Sequence, residues 1–247
     1  MKSLQGKLTL VTGAAGVVGL AISEALIEDG LEVIMVDLDA ARLAELADGL
    51  GANAIPLALD ISDAQAVAAA WAGIKRDRGA VQVLVNNAGV LSNDKVAETT
   101  PAEWRRLMGV NLDGAFYMCR EALPGMKAEG WGRVVNICSL AMKTGGLTAG
   151  TAYTASKGGL AALTFSLARE SAGDGVTANG IAPAYITSPM VTEQLTEAQR
   201  QKLLAEIPVG RFCEPEEIAH VVRFLISPLA GFITGEIVDI NGGLHLD

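Results

Sequence analysis

Seven short runs of aliphatic and β-branched residues punctuate this chain: LTLVT (8–12), LEVIMVD (31–37), AIPLALD (54–60), VQVLVN (81–86), RVVNICS (133–139), GVTANGIAP (175–183) and EIVDING (236–242). Between them lie alanine-rich segments of helical period. Runs with so few polar positions suit strands covered on both faces, which requires a parallel sheet with helices above and below. The fold class that follows is α/β, a doubly wound Rossmann-type sheet of about seven strands. Helical periodicity is clearest over 20–28, 64–76, 101–129, 153–171 and 214–227, with Pro101 and Pro215 suited to first-turn positions. No linker or repeat divides the 247 residues, so a single domain over 1–247 is expected. The long stretch 184–208, with a weak helix over 196–205, reads as a substrate lid.

Composition narrows the partners. No run of about 18 uninterrupted apolar residues exists and the start lacks a signal-peptide succession, so a soluble, cytoplasmic protein with no membrane partner is expected. A net charge of −9 without a basic run argues against nucleic acid. Cys119, Cys138 and Cys213 are widely spaced in apolar surroundings and read as reduced core thiols, with no metal site implied. A small-molecule partner remains.

The first strand runs into T-G-A-A-G-V-V-G, where Gly13, Ala15, Gly16, Val17, Val18 and Gly19 form a turn before an amphipathic helix. Glycines let the backbone approach a pyrophosphate, and unpaired amides at the helix start donate to its oxygens. The second strand ends in Asp37, 24 residues beyond Gly13, where a carboxylate can accept hydrogen bonds from an adenosine ribose. That charge would repel a 2′-phosphate, and Leu38, Asp39 and Ala40 offer no compensating cation, so NAD(H) is expected over NADP(H). The alternative for Asp37 is a cap or loop acid. Asp60 and Ile61 close the third strand, where Asp60 either meets adenine or caps the helix after Asp63.

The stretch YTASK sets Tyr153 and Lys157 four residues apart, on one helix face, so both can point into one cavity. A phenol titrates near 10 and needs a shift of roughly two to three units to shuttle protons near neutrality, which an adjacent ammonium would favour.

With V-N-N-A-G-V (85–90), N-L-D-G (111–114), N-I-C-S ending in Ser139, I-A-P (181–183) and I-T-G-E-I-V-D-I-N-G-G near the C-terminus, the chain resembles the short-chain dehydrogenase/reductase family almost end to end. The resemblance implies that Tyr153 is the general acid/base and that Ser139 hydrogen-bonds the same substrate oxygen. It further implies that Lys157 lowers the tyrosine pKa and binds ribose, while Asn111 supports a water-linked proton path to Lys157. Asn87, Ala88 and Gly89 would pack on the adenosine side of the coenzyme, and Pro183, Ala184, Ile186 and Thr187 would reach the nicotinamide, with Thr187 as its polar contact. Helices 101–129 and 153–171 resemble the dimer faces of the family, implying a homo-oligomer, a tetramer or a dimer.

Two positions depart from the pattern. Relatives of this length carry the middle fingerprint glycine where Val17 stands, whereas Gly16 precedes it here, as in the longer epimerase-like branch. After Pro183 the usual glycine is Ala184, which requires a negative φ or modest strain. Tyr185 beside it is then expected to reach the substrate cleft.

For substrate, a small secondary alcohol, polyol, sugar or corresponding ketone is the first expectation, in a mostly apolar pocket of Leu140, Met142, Leu147, Ala149, Tyr185, Met190 and Val191. The alternative is a 3-oxoacyl reductase acting on a carrier-protein or CoA thioester, resembled by GRFCEPEEIA (210–219). Against a carrier protein stand the acidic chain and Glu129 and Asp174, where relatives that act on one tend to show Arg. A nucleotide-sensing regulator is the non-enzyme alternative, disfavoured by the intact Ser139, Tyr153 and Lys157. His245 is expected to be a solvated tail residue.

Overall fold

The computed structural model describes residues 4–188 and 196–246. Seven strands form one sheet in the order β3-β2-β1-β4-β5-β6-β7, every neighbouring pair parallel. They are β1 (Leu8–Thr12), β2 (Glu32–Asp37), β3 (Ala54–Ala58), β4 (Val83–Asn86), β5 (Gly132–Ile137), β6 (Val176–Pro183) and β7 (Ile237–Ile240). All seven expected runs are therefore strands, and the shortening of β5 at Ile137 frees Cys138 and Ser139 to leave the sheet as a turn.

The sheet buries both faces. On one side α1 (Val17–Glu28), α2 (Ala40–Leu50) and the late helix α9 (Pro215–Ile226) cover Val11, Val33, Met35, Val85 and Val135. On the other, α3 (Ala64–Arg78), α5 (Gly114–Glu129) and α7 (Thr151–Ser171) cover Leu10, Ile34, Leu84, Val134 and Ala178. Alternation along each strand sends successive side chains into opposite cores, which is why these runs are apolar throughout rather than at every second position. Short α4 (Pro101–Met108), α6 (Ala141–Thr144) and α8 (Glu197–Glu206) complete the described helices. No helix among the described residues is long and apolar enough to cross a membrane.

The expected helix over 101–129 is continuous but not uniform. Between α4 and α5 the chain widens into a π-helical turn, Gly109–Asp113, which carries Asn111. Such turns displace a side chain from the α-helical register and gather at functional sites. Gly114 ends it against Ile61, where a Cβ would stand 2.8 Å from the isoleucine side chain, so only glycine lets α5 approach this closely. Pro101 and Pro215 both occupy first turns, as expected. Helix α2 was not foreseen: it buries only Leu43 and Ala47, too narrow a stripe to stand out.

Candidate active site

The strand order reverses between β1 and β4, and at that crevice the ends of the two strands are tied together. Thr12 Oγ1 accepts from the amides of Asn87 and Ala88, each at 3.0 Å, and Asn87 Nδ2 donates back to Thr12 O at 2.9 Å. The glycine turn follows. Gly13 has φ +66°, and a Cβ there would lie 2.8 Å from Ala88 Cα; at Gly19 it would lie 2.1 Å from Gly13 O. Gly16 differs: with φ −80° it caps α1, and a Cβ would meet only Gly13 O at 3.4 Å. Val17 therefore begins the helix without strain and lines the crevice beside Val18. First-turn amides beside a cradle that Gly13, Gly16 and Gly19 keep free of Cβ atoms fit a pyrophosphate.

Asp37 ends β2 at the edge of this cradle. Its carboxylate accepts from Ala15 N at 3.0 Å and Leu38 N at 2.8 Å, which fixes its direction while leaving lone pairs for a ribose. Asp39, not Asp37, caps α2. The sequence reading missed Arg42, whose Nε donates to Ala15 O at 2.9 Å and brings a guanidinium to the far side of the same peptide. Asp60 turns to its own loop, accepting from Ser62 N and Ser62 Oγ, and Asp63 caps α3. Ile61 is buried beneath Gly114 and Leu38 is exposed; with Asp60, both lie outside the cavity lining.

The chemical residues converge from three elements. Tyr153 and Lys157 project from α7, Ser139 from the turn after β5, and Asn111 from the π-helical turn. Ser139 Oγ accepts from Ala141 N at 3.2 Å and sits beside the Tyr153 phenol. Lys157 is 3 % exposed, donates to Ile137 O at 2.7 Å and places Nζ 5.9 Å from the Tyr153 ring centre. Asn111 accepts from Val90 N at 2.8 Å and donates to Val90 O at 2.9 Å and Ser156 Oγ at 3.0 Å. Ser156 in turn donates to Tyr153 O at 2.7 Å, linking Asn111 to the tyrosine backbone. Nothing in the motif pattern marks Ser156.

One electrostatic expectation is corrected. Burial pushes the Tyr153 phenol above its ordinary value, only partly offset by the neighbouring Ser139 hydroxyl. Loss of water around a phenolate outweighs an ammonium whose proton is aimed at Ile137 O rather than at the phenol oxygen. Burial also pulls Lys157 down to about 8. Cys119 and Cys138 are buried with thiols pushed up to about 12 and about 11, whereas Cys213 is only half-buried.

The glycine turn, Asp37, the 87–89 segment, Ser139 and Tyr153 open into one cavity of about 450 Å³, with Ala15, Asn111 and Lys157 behind its lining. Gly13, Gly16, Asp37 and Asn87 lie at one end and Ser139 and Tyr153 at the other. Leu140, Leu147, Ala149, Pro183, Ala184, Tyr185 and Ile186 line it, and Ala184 has no positive φ, so alanine there introduces no strain. Met142 does not line it: the side chain turns away and packs with Leu160 and Ala161 of α7. Thr187 is also absent from the lining; its hydroxyl donates to Glu214 at 3.1 Å and its amide to Cys213 O at 2.8 Å. Met190 and Val191 lie outside the described residues. Leu91, Ala141, Thr144, Thr148, Ser188 and Leu244 were missed and complete the wall.

A family model described as Enoyl-(Acyl carrier protein) reductase matches residues 13–245. The chain is 38% identical over 244 residues to the 3-oxoacyl-[acyl-carrier-protein] reductase FabG of Vibrio harveyi, covering 99% of each. It is 39% identical over 248 residues to that of Pseudomonas aeruginosa, again covering 99% of each. A solved structure described as short-chain dehydrogenase/reductase SDR, glucose/ribitol dehydrogenase, from Brucella melitensis superposes with a TM-score of 0.91 at 33% identity over the whole of both chains. With agreement running from the glycine turn to the C-terminal turn, the chain belongs to the short-chain dehydrogenase/reductase family, oxidoreductases that act on CH–OH and C=O groups with a nicotinamide coenzyme.

Proposed function

We propose that this enzyme interconverts a 3-oxoacyl and a 3-hydroxyacyl group, with NAD(H) as its coenzyme. The observation that carries the reading is the full-length likeness to 3-oxoacyl reductases, which favours this substrate class over the small alcohols expected from the sequence alone. The cavity agrees, since its chemical end is walled by Leu91, Leu140, Leu147, Ile186 and Leu244, apolar surface suited to an acyl chain. A free thioester or ester suits it better than a carrier protein. Near the end of α5, Lys127 is neutralised by Glu170 and Asp174, and Glu129 adds a further negative charge, which repels an acidic partner.

The coenzyme fits the Gly13 and Gly19 cradle, with Asp37 at its ribose and Lys157 and Tyr153 toward its nicotinamide end; when bound it supplies or accepts the hydride. In the reductive direction Tyr153 donates its phenolic proton to the ketone oxygen as that oxygen gains charge. Burial holds the Tyr153 phenol above its ordinary range, which favours the protonated form from which it donates. Ser139 donates to the same oxygen and holds it within reach of the phenol. Lys157, pinned by Ile137 O, supplies the nearest buried cation and keeps α7 against β5. Asn111 holds Val90 and, through Ser156, the Tyr153 backbone.

A second reading, a polyol or sugar dehydrogenase, is favoured by the Brucella melitensis structure and by Asp37. The deciding experiment follows NADH absorbance with acetoacetyl thioester and ester substrates against a panel of simple ketones, polyols and sugars. Turnover of 3-oxoacyl substrates at least about tenfold more efficient in kcat/KM supports the proposal. Preference for polyols or sugars overturns it in favour of the second reading. Phe116 on α5 and Phe165 on α7 remain exposed, which supports a homo-oligomer built on those helices.

A further inference from the structure

Two loops form opposite walls of the substrate half of the cavity. One, 145–149, contributes Leu147, Thr148 and Ala149; the other, 184–188, contributes Tyr185, Ile186 and Ser188. They meet where Thr148 Oγ1 and Tyr185 Oη lie 3.3 Å apart. The first loop has little support of its own, since consecutive glycines at 145 and 146 adopt φ +75° and +80° and no strand or helix spans it.

What holds it is Lys95. The Lys95 ammonium donates to Gly146 O at 3.1 Å and to Ala149 O at 2.6 Å, so both ends of the wall segment bend around one cation. The backbone of the lysine is itself fixed: Lys95 O accepts from Glu98 N, Thr99 N and Thr99 Oγ1, closing a turn of the segment that follows β4. The seam is tight on either side of the ammonium. Gly150 N donates to Ser92 O and Thr151 N to Asp94 O, and a Cβ at Gly150 would stand 2.4 Å from Asp94 O. Lys95 therefore joins the segment after β4 to the loop entering α7 without touching the reacting atoms.

Resting on the reading of this cavity as a substrate site, we propose that Lys95 is a specificity-determining positioning residue that sets the width of the acyl pocket by fixing the 146–149 wall opposite Tyr185. An ammonium is suited to this because two carbonyl oxygens converge on it. An apolar side chain of similar length would leave both without that donor, and hydrogen bonds to a charged group are stronger than neutral ones.

The test compares wild type, Lys95→Met and Lys95→Arg in the intact enzyme by three readouts: NADH binding by fluorescence, steady-state kinetics with short and branched 3-oxo esters, and amide hydrogen exchange over 145–150. In Lys95→Met the exchange of that loop rises, and KM for the short substrate rises about tenfold with kcat changed less than about threefold. Discrimination against the branched substrate falls, and NADH affinity is unchanged. Lys95→Arg, which keeps charged donors, recovers part of the KM and of the protection. Unchanged loop exchange in Lys95→Met overturns the clamp whatever the turnover. Unchanged KM and discrimination overturn its role in specificity, and so does NADH affinity falling in parallel with substrate affinity. Failure of the wild type to reduce any 3-oxo ester would instead defeat the functional reading, and the exchange comparison would still decide whether Lys95 holds the wall.

Discussion

Lys157 and Asn111 approach each other across Gly89, where a Cβ would stand 3.3 Å from Lys157 Nζ and 3.4 Å from Asn111 Oδ1. The glycine of the N-N-A-G stretch thus keeps open the space between a buried ammonium and a buried amide. Gly89→Ala forces one of them to move by a few tenths of an ångström. Because the lysine end is the more flexible, the expected outcome is a folded enzyme with kcat/KM lowered about tenfold or more, measured alongside an unchanged far-UV spectrum. Wild-type kinetics in this variant would show that the spacing is not needed.

The three fingerprint glycines are unequal. Gly19→Ala drives a Cβ to 2.1 Å from Gly13 O and 2.8 Å from Ala14 Cα, both backbone, so loss of coenzyme binding and a destabilisation of about 3 kcal/mol are expected. Gly16→Ala meets only a 3.4 Å contact at a φ of −80°, and stability should change by no more than about 1 kcal/mol with NADH binding retained. Denaturant titration and NADH fluorescence on the pair check the contrast. Equal damage at both positions would contradict it.

Much of the architecture was readable because its signals are local. Apolar runs and intervening helical periods mark the sheet and most helices, Pro101 and Pro215 mark helix starts, and Asp37 marks the end of β2. The residues that escaped act across the fold. Thr12 reaches Asn87, Arg42 reaches Ala15, Ser156 reaches Asn111 and Lys95 reaches Ala149, pairings set by tertiary packing with no periodic trace. The Tyr153 shift was misjudged for the same reason: its sign depends on how completely α7 and the 140s loop exclude water, whereas the i, i+4 spacing reports only that Lys157 shares a helix face. Met142 failed as a pocket residue because α6 turns it toward α7.

Lys157 links the site to stability. Its folded pKa of about 8 lies below the ordinary 10.5, so between those values the unfolded chain holds a proton that the folded chain has released. Stability from this group therefore rises with pH across that window, and below about 8 the folded protein carries the full cost of the buried charge, about 3 kcal/mol. Lys157→Met removes that cost together with the bond to Ile137 O. Relative to this variant, wild type should gain about 2–3 kcal/mol between pH 7 and pH 10.5 in denaturant melts. A flat difference across that range would contradict the assignment.

Asp37 and Arg42 flank the Ala15 peptide with opposite charges. The carboxylate repels a 2′-phosphate, so wild type should prefer NAD(H), and Asp37→Ala should shift the kcat/KM ratio toward NADP(H) by about ten- to a hundredfold, with Arg42 then facing the added phosphate. A wild-type preference for NADP(H) would overturn the coenzyme assignment.

The central claim is that the Tyr153 oxygen moves the proton that accompanies hydride transfer. Tyr153→Phe removes that oxygen and keeps the ring in place on α7, so NADH fluorescence titration and turnover should be measured together on this variant. The account predicts NADH affinity within about threefold of wild type and turnover lower by about three orders of magnitude. Turnover equal to that of wild type would contradict it.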